Sequence, residues 1–113
     1  MNLSVGMDII EMKRFSDARF PARLADFILT PTEQRLMAES RDSLQYLASR
    51  FAAKEAVVKA LPEAAGFLDF EILKQGNKPV THMLAPALRR YTVSVSLSHS
   101  AAFAAACAVV LLG

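Results

Sequence analysis

Two carboxylates stand out by position. Asp8 closes a segment in which Leu3, Val5, Met7 and Ile9 alternate with Ser4, Gly6 and Asp8. That alternation is a strand with one apolar face and Asp8 on the other. Glu55 lies within Arg50-Phe51-Ala52-Ala53-Lys54-Glu55-Ala56-Val57-Val58-Lys59-Ala60-Leu61, a helical pattern whose apolar stripe passes through Leu47, Phe51 and Val58. At about 100° per residue Glu55 sits roughly 40° around the axis from Phe51, so its carboxylate faces the packed side. A buried acid needs a partner, because an unpaired buried charge is costly. A hard cation shared with Asp8 supplies one: Mg²⁺ takes one or two carboxylates and completes its shell with water and phosphate oxygens. Simpler partners exist. Glu55 and Lys59 stand at i, i+4, a pairing worth about 0.2–0.5 kcal/mol, and Asp8 could cap a helical turn over Glu11 to Phe15. Residue types alone leave these open.

Basic residues gather near both carboxylates. Lys59 follows Glu55 by one turn and could reach a phosphate bound at the metal, while Arg50, Lys54 and Lys59 together also read as a solvated basic face. Lys13, Arg14, Arg19 and Arg23 are interleaved with Met12, Phe15 and Phe20, a mixture that suits an acidic protein surface carrying an apolar spot. His99 sits in Ser98-His99-Ser100 with His82 far from it in the chain. No Gly-x-Ser-x-Gly elbow, zinc-ligand spacing or phosphate-binding glycine loop is present, which argues against a serine hydrolase, a zinc site and a P-loop. Cys107 lies in an apolar run and reads as an inert thiol.

The elements that must hold these groups follow from pattern. A short helix is expected around Ser16 to Leu29. Thr30-Pro31-Thr32-Glu33 is a capping box with proline at the first helical position, starting a helix to about Glu39. A long helix begins near Asp42 or Ser43 and stops at Leu61, before Pro62. Gln75-Gly76-Asn77-Lys78 reads as a hairpin connection between strands containing Phe70, Ile72 and Val80. Ala87 to Arg90 reads as a helical turn. Tyr91, Val93, Val95 and Leu97 alternate with Thr92, Ser94, Ser96 and Ser98 as a half-buried strand. Phe103 to Leu112 is a continuous apolar run, expected to be buried on both faces.

The chain has 113 residues, 53% hydrophobic and 21% charged, with a formal charge of +2. One domain over residues 1–113 with a real core is expected, and the low net charge argues against a dedicated nucleic-acid binder. A single cysteine and the absence of a charged-then-apolar start point to a cytoplasmic protein. The apolar C-terminal run is too short for a membrane helix of roughly 20 residues. From Tyr91 to Gly113 there is no Asp, Glu, Lys or Arg; a tail of that kind is easier to explain when a partner subunit covers it.

The segments resemble the holo-[acyl-carrier-protein] synthases, the small homotrimeric class of 4′-phosphopantetheinyl transferases. The resemblance is carried by Gly6-Met7-Asp8-Ile9-Ile10-Glu11 with Arg14-Phe15, by Ile28-Leu29-Thr30 with Glu33, by Arg50 to Ala56 with Lys59-Ala60, by Phe67-Leu68-Asp69-Phe70-Glu71, by Lys78-Pro79, and by Val95 to Ser100. It implies an α+β fold with a curved antiparallel sheet packed against a long helix, and a trimer with active sites between subunits. It implies transfer of phosphopantetheine from coenzyme A to a serine of an acyl carrier protein, with release of adenosine 3′,5′-bisphosphate. Asp8 and Glu55 match the Mg²⁺ ligands, and Asp8, Glu55 and Lys59 the catalytic group, with Glu55, directly or through a metal-bound water, expected to receive the serine proton. Arg50, Lys59, Pro79, Ser98 and His99 match coenzyme A-binding positions, and Arg14 and Arg23 match the surface facing the carrier protein. Two departures are visible: the loop after the long helix is shortened to Pro62–Gly66, and Ala101-Ala102 stand where a basic residue often follows the histidine. A non-catalytic module binding carrier protein or coenzyme A on this scaffold is the other reading.

Overall fold

The computed structural model describes residues 2–17 and 19–112. The chain runs β1 (Asn2–Glu11), a 3₁₀ turn (Met12–Phe15), α1 (Arg19–Ile28), α2 (Pro31–Glu39), α3 (Ser43–Ala60), β2 (Phe70–Gln75), β3 (Lys78–Met83), a second 3₁₀ turn (Pro86–Leu88), β4 (Thr92–His99) and β5 (Phe103–Leu112). The start signals act as their chemistry requires. Thr30 Oγ1 accepts from the Glu33 amide while Glu33 Oε1 accepts from the Thr30 amide, closing the capping box of α2. Asp42 caps α3 by accepting from the Gln45 amide at 3.0 Å. Gly76 at φ 64° leads the two-residue turn between β2 and β3, with no positive φ at Asn77, as a type II′ hairpin turn demands.

The sheet is divided. β1, β5 and β4 form one antiparallel sheet in that order, and β2–β3 form a separate antiparallel hairpin. This α+β arrangement packs α3 on one face of the three-stranded sheet. The expected stripe through Leu47, Phe51 and Val58 is not the packed face of α3: Phe51 and Val58 are half-buried, whereas Ala48, Ala52, Ala53, Ala56, Val57 and Ala60 are fully buried with Leu47. Small side chains bring α3 close to the sheet, so the core of this helix is written in alanine rather than in large apolar residues.

The same closeness explains β1. Gly6, Asp8 and Ile10 face α3, and the apolar alternation Leu3, Val5, Met7 and Ile9 faces away, with Met7 64% and Ile9 65% exposed. β5 alternates as well. Ala104, Ala106, Ala108 and Val110 are buried against α3, while its outer face is open, with Phe103 and Leu111 exposed and Cys107 half-buried. The expectation that β5 is buried on both faces is therefore not met within one chain. Register puts Met7 beside Cys107 and Val5 beside Val109, so one continuous apolar face covers β1 and β5, and Ser94, Ser96 and Ser98 extend it as a row of hydroxyls on β4.

Gly6 is the closest approach of strand and helix. A Cβ built there would overlap the Ala56 carbonyl oxygen and lie 3.0 Å from the Ala60 amide nitrogen. Both obstacles are backbone, which cannot swing aside. Gly6→Ala should cost about 1–3 kcal/mol or more, lowering the thermal midpoint by about 5 °C or more. Gly66→Ala, whose Cβ would meet only the Asp69 carboxylate at an ordinary 3.4 Å, is the control and should melt close to the parent. Matching midpoints for the two variants, read by thermal circular dichroism, would refute the close crossing.

Candidate active site

The crossing at Gly6 sets the site. Asp8 is two residues further along β1 on the same face, and Lys59 lies on the last turn of α3. Lys59 Nζ donates to Asp8 Oδ1 at 3.1 Å and to the Met7 carbonyl at 3.0 Å. Both simpler partnerships are thereby displaced. Lys59 pairs with Asp8 rather than with Glu55, and Asp8 caps no helix, the 3₁₀ turn after β1 having Glu11 at its cap without a side-chain bond. Glu55 is half-buried one turn before Lys59, and among the described residues it makes no ion pair and no side-chain hydrogen bond.

The strength of the Asp8–Lys59 pair bears on its role. Lys59 is 52% exposed and Asp8 20%, so the pair is worth about 0–1 kcal/mol in water and salt. It is easily opened by a competing charge. A hard cation takes one or two carboxylates and completes its shell with water and phosphate oxygens, and Asp8 and the unpaired Glu55 are carboxylates of that kind. The lysine ammonium already occupies Asp8 as a positive charge, so Asp8 and Glu55 fit Mg²⁺ by chemistry. No cluster of three or more acidic, histidine or cysteine groups exists among the described residues, which sets this site apart from an all-protein cage.

A cavity of about 810 Å³ lies at the N-terminal half of α3, between it and the β3–β4 side. Arg41, Arg50, Lys74 and Lys78 line it with Pro79 and His99. Four cations make it suited to a phosphate-rich ligand. Arg50 is buried, donates from Nε to the Ile72 carbonyl at 3.2 Å and stacks 4.5 Å above the Tyr46 ring. Burial raises the Tyr46 phenol above the usual tyrosine range, opposed by Arg50, so the ring stays neutral at physiological pH. His99 Nδ1 lies 3.0 Å from Gln45 Nε2. Ser98, by contrast, points to the outer face of the sheet opposite Ala105 and does not line the cavity.

The expected coenzyme A residues are therefore not brought together within one chain. Arg50 and Lys59 are nine residues apart on α3, which puts them on opposite sides of the helix and roughly 13 Å apart along it. Arg50, Pro79 and His99 belong to one half, and Asp8, Glu55 and Lys59 to the other. Arg14 and Arg23 are exposed beside α1, with the Arg14 guanidinium 5.8 Å above Phe20. The shortened loop is tied down: the Glu63 carboxylate accepts from Tyr91 Oη at 2.7 Å and from Arg90, and Asp69 Oδ2 accepts from the Gly66 amide at 2.7 Å. These bonds, the Tyr91 hydroxyl first, hold the Glu63 carboxyl below the usual range.

Lys54 escaped the sequence reading. It is not on a solvated face but fully buried, at 0% exposure. Its ammonium donates to Glu33 Oε1 and to the carbonyls of Ile28 and Phe67, each at 2.7 Å, and to that of Phe70 at 3.0 Å. Glu33 Oε2 accepts from the Ile72 amide at 2.8 Å, and Thr30 Oγ1 donates to Glu71 Oε2 at 2.6 Å. Burial pulls the Lys54 ammonium below the usual lysine range, and Glu33 pushes it back up. One side chain thus joins the end of α1, the start of α2, the loop before β2 and α3 itself. The only hint in the sequence is its setting among Ala52, Ala53 and Ala56.

Fold and site together define a small α+β protein in which an acidic strand–helix crossing and a basic cavity share one helix. The family model of the 4′-phosphopantetheinyl transferase superfamily matches residues 4–108. Holo-[acyl-carrier-protein] synthase of Halalkalibacterium halodurans is 39% identical, over 94% of this chain and 92% of that protein. That of Moorella thermoacetica is 42% identical, over 96% and 93%. Among solved structures, the synthase of Neisseria meningitidis superposes with a TM-score of 0.86 at 30% identity, covering 96% of this chain and 98% of that one. The Helicobacter pylori synthase in complex with coenzyme A gives 0.81 at 32%, covering 95% and 99%. The chain belongs to the 4′-phosphopantetheinyl transferase superfamily.

Removing the Lys54 ammonium leaves Glu33 buried and unpaired. Lys54→Met should destabilise by about 3–5 kcal/mol, and adding Glu33→Gln should recover part of that loss, because the orphaned charge is removed while an amide oxygen stays in place to accept from the backbone amide that Glu33 caps. Urea unfolding of the single and double variants checks this; a double variant no more stable than Lys54→Met would contradict the pairing.

Proposed function

We propose that this chain transfers the 4′-phosphopantetheine group of coenzyme A to a serine of an apo acyl carrier protein, as a Mg²⁺-dependent homotrimer in the cytoplasm. The observation that carries the reading is the convergence of Asp8 and Lys59 at the Gly6 crossing, with Glu55 unpaired one turn away, in a chain of this superfamily. Asp8 and Glu55 hold the ion, which when bound supplies positive charge to the pyrophosphate oxygens. The serine oxygen of the carrier forms a bond to the β-phosphorus of coenzyme A. The bond from that phosphorus to the bridging oxygen breaks, and adenosine 3′,5′-bisphosphate departs.

Positioning and charge neutralisation provide most of the catalysis in such a transfer. Lys59 leaves Asp8 at little cost and offsets charge on the attacked phosphate or the leaving group. The Glu55 carboxylate accepts the serine proton. The nucleophile arrives on the partner, so this chain requires no activated serine of its own. Arg50, Pro79 and His99 take the phosphorylated nucleotide end of coenzyme A. Arg14 and Arg23 face the acidic carrier protein.

The two halves of the site lie on opposite sides of α3, which favours completion by a neighbouring subunit. The uncovered apolar face of β1 and β5 supplies the surface for that neighbour. No helix among the described residues is long and apolar enough to cross a membrane.

Incubation with apo carrier protein, coenzyme A and Mg²⁺, read by mass spectrometry of the carrier, should show the added phosphopantetheine. Glu55→Gln should slow turnover by about 10²-fold or more with its fold intact. An unmodified carrier, tried across fatty-acid and polyketide types, would sink the transferase reading, and full turnover by Glu55→Gln would remove Glu55 from the chemistry.

A further inference from the structure

His99 ends β4 and shares its side of the sheet with its register partner Ala104, which is fully buried against α3. The imidazole is thereby directed at the first turn of α3. There Gln45 Nε2 lies 3.0 Å from His99 Nδ1. Both side chains line the basic cavity with Arg41, Arg50, Lys74 and Lys78. A carboxamide nitrogen donates hydrogen bonds and cannot accept them. His99 Nδ1 is therefore the acceptor, and the one proton of the neutral ring sits on Nε2. Among the described residues His99 makes no other side-chain hydrogen bond, so its Nε2–H is a spare donor. A donor is what phosphate oxygens need; a bare Nε2 lone pair would repel them.

A simple tie between β4 and α3 is the plainer explanation of this bond, but neither element needs one. Asp42 already caps α3 by accepting from the Gln45 amide. The turn after His99 is closed by Ser100, whose amide donates to the Phe103 carbonyl at 2.8 Å and whose hydroxyl accepts from the Ala102 and Phe103 amides. The Gln45–His99 bond is itself exposed, so water competes for both partners and its share in stability is small. What it does fix is which ring nitrogen carries the proton.

We propose that Gln45 is a positioning residue that holds His99 in the Nε2–H tautomer, as a donor to a phosphate of coenzyme A. This rests on the reading that the basic cavity takes the nucleotide end of coenzyme A. Substitutions at position 45 separate the possibilities. Glutamate can only accept, which draws the ring proton to Nδ1 and leaves a lone pair on Nε2. A carboxylate in the first turn also favours the helix, so weaker binding by Gln45→Glu is not a loss of fold. Alanine adds no charge and leaves both tautomers open.

The chain has two histidines, and His82→Gln, an exposed change on β3, leaves His99 as the one imidazole. Nitrogen-15 NMR of that protein, at a pH where the ring is neutral, should show Nε2 protonated. Gln45→Glu should move the proton to Nδ1, and Gln45→Ala should give a mixture. Coenzyme A binding by titration calorimetry should weaken about tenfold in Gln45→Ala and further in Gln45→Glu, with the thermal midpoint unchanged or higher in the latter. In a His99→Ala background Gln45→Ala should have no further effect. An equal effect in both backgrounds would overturn the proposal in favour of direct contact between Gln45 and coenzyme A. A parent ring protonated at Nδ1, or equal affinities of parent and Gln45→Ala, would overturn it while leaving the cavity reading intact. A parent that binds no coenzyme A fails on the cavity reading itself, and the proposal falls with it.

Discussion

The backbone contact between Gly6 of β1 and Ala56 of α3 governs the geometry of everything around it. A strand and a helix rarely approach so closely, because side chains normally hold them apart. Here glycine faces a run of alanines, and a Cβ on the strand would enter the Ala56 carbonyl. Closeness has a chemical consequence. It brings the short Asp8 side chain within 3.1 Å of the Lys59 ammonium on the helix and beside the turn that carries Glu55. A larger residue at position 6 would push β1 off α3 and carry Asp8 away from Lys59.

Two lysines five residues apart on α3 illustrate how environment divides one residue type into two roles. Lys54 has no exposure, four oxygen acceptors and a buried carboxylate partner. Breaking that pair strands a charge in the core, so it is a permanent tie among three helices and a loop. Lys59 is half in water, and its pair with Asp8 contributes little to stability. A contact that weak is suited to exchange, and an incoming phosphate can take the ammonium while a cation takes the carboxylate. The rigid lysine fixes the frame, and the labile one is free to change partners.

Much of this was legible in the sequence, for identifiable reasons. The capping box at Thr30, the Asp42 cap, the Gly76 hairpin and the alternation of β1 and β4 are local signals, and local hydrogen bonding enforces them. Asp8 was readable as lying opposite the apolar side of β1. What was not readable is which side of β1 meets the core: apolar alternation marks a face to be covered, and the side that packs in this chain is the small one. The stripe on α3 misled for the same reason, since alanine carries little weight in a hydrophobic pattern yet permits the closest packing. Lys54 and Glu33 were hidden because their pairing joins residues 21 apart, and Glu33 already had a sufficient explanation in its cap. The separation of the residues expected to bind coenzyme A is a matter of helical phase, which places Arg50 and Lys59 half a turn apart.

The opposed half-sites and the uncovered β1–β5 face belong to one account, in which the Asp8 side of one chain works with the basic cavity of another. Its central claim is that Asp8 and Glu55 jointly hold a divalent ion beside Lys59. Crystals grown with coenzyme A and Mn²⁺ in place of Mg²⁺ test this directly through anomalous scattering. The account predicts a peak within about 2.5 Å of carboxylate oxygens from both Asp8 and Glu55, with the remaining ligands from water and pyrophosphate. A peak bound by other residues, or by neither carboxylate, would contradict it.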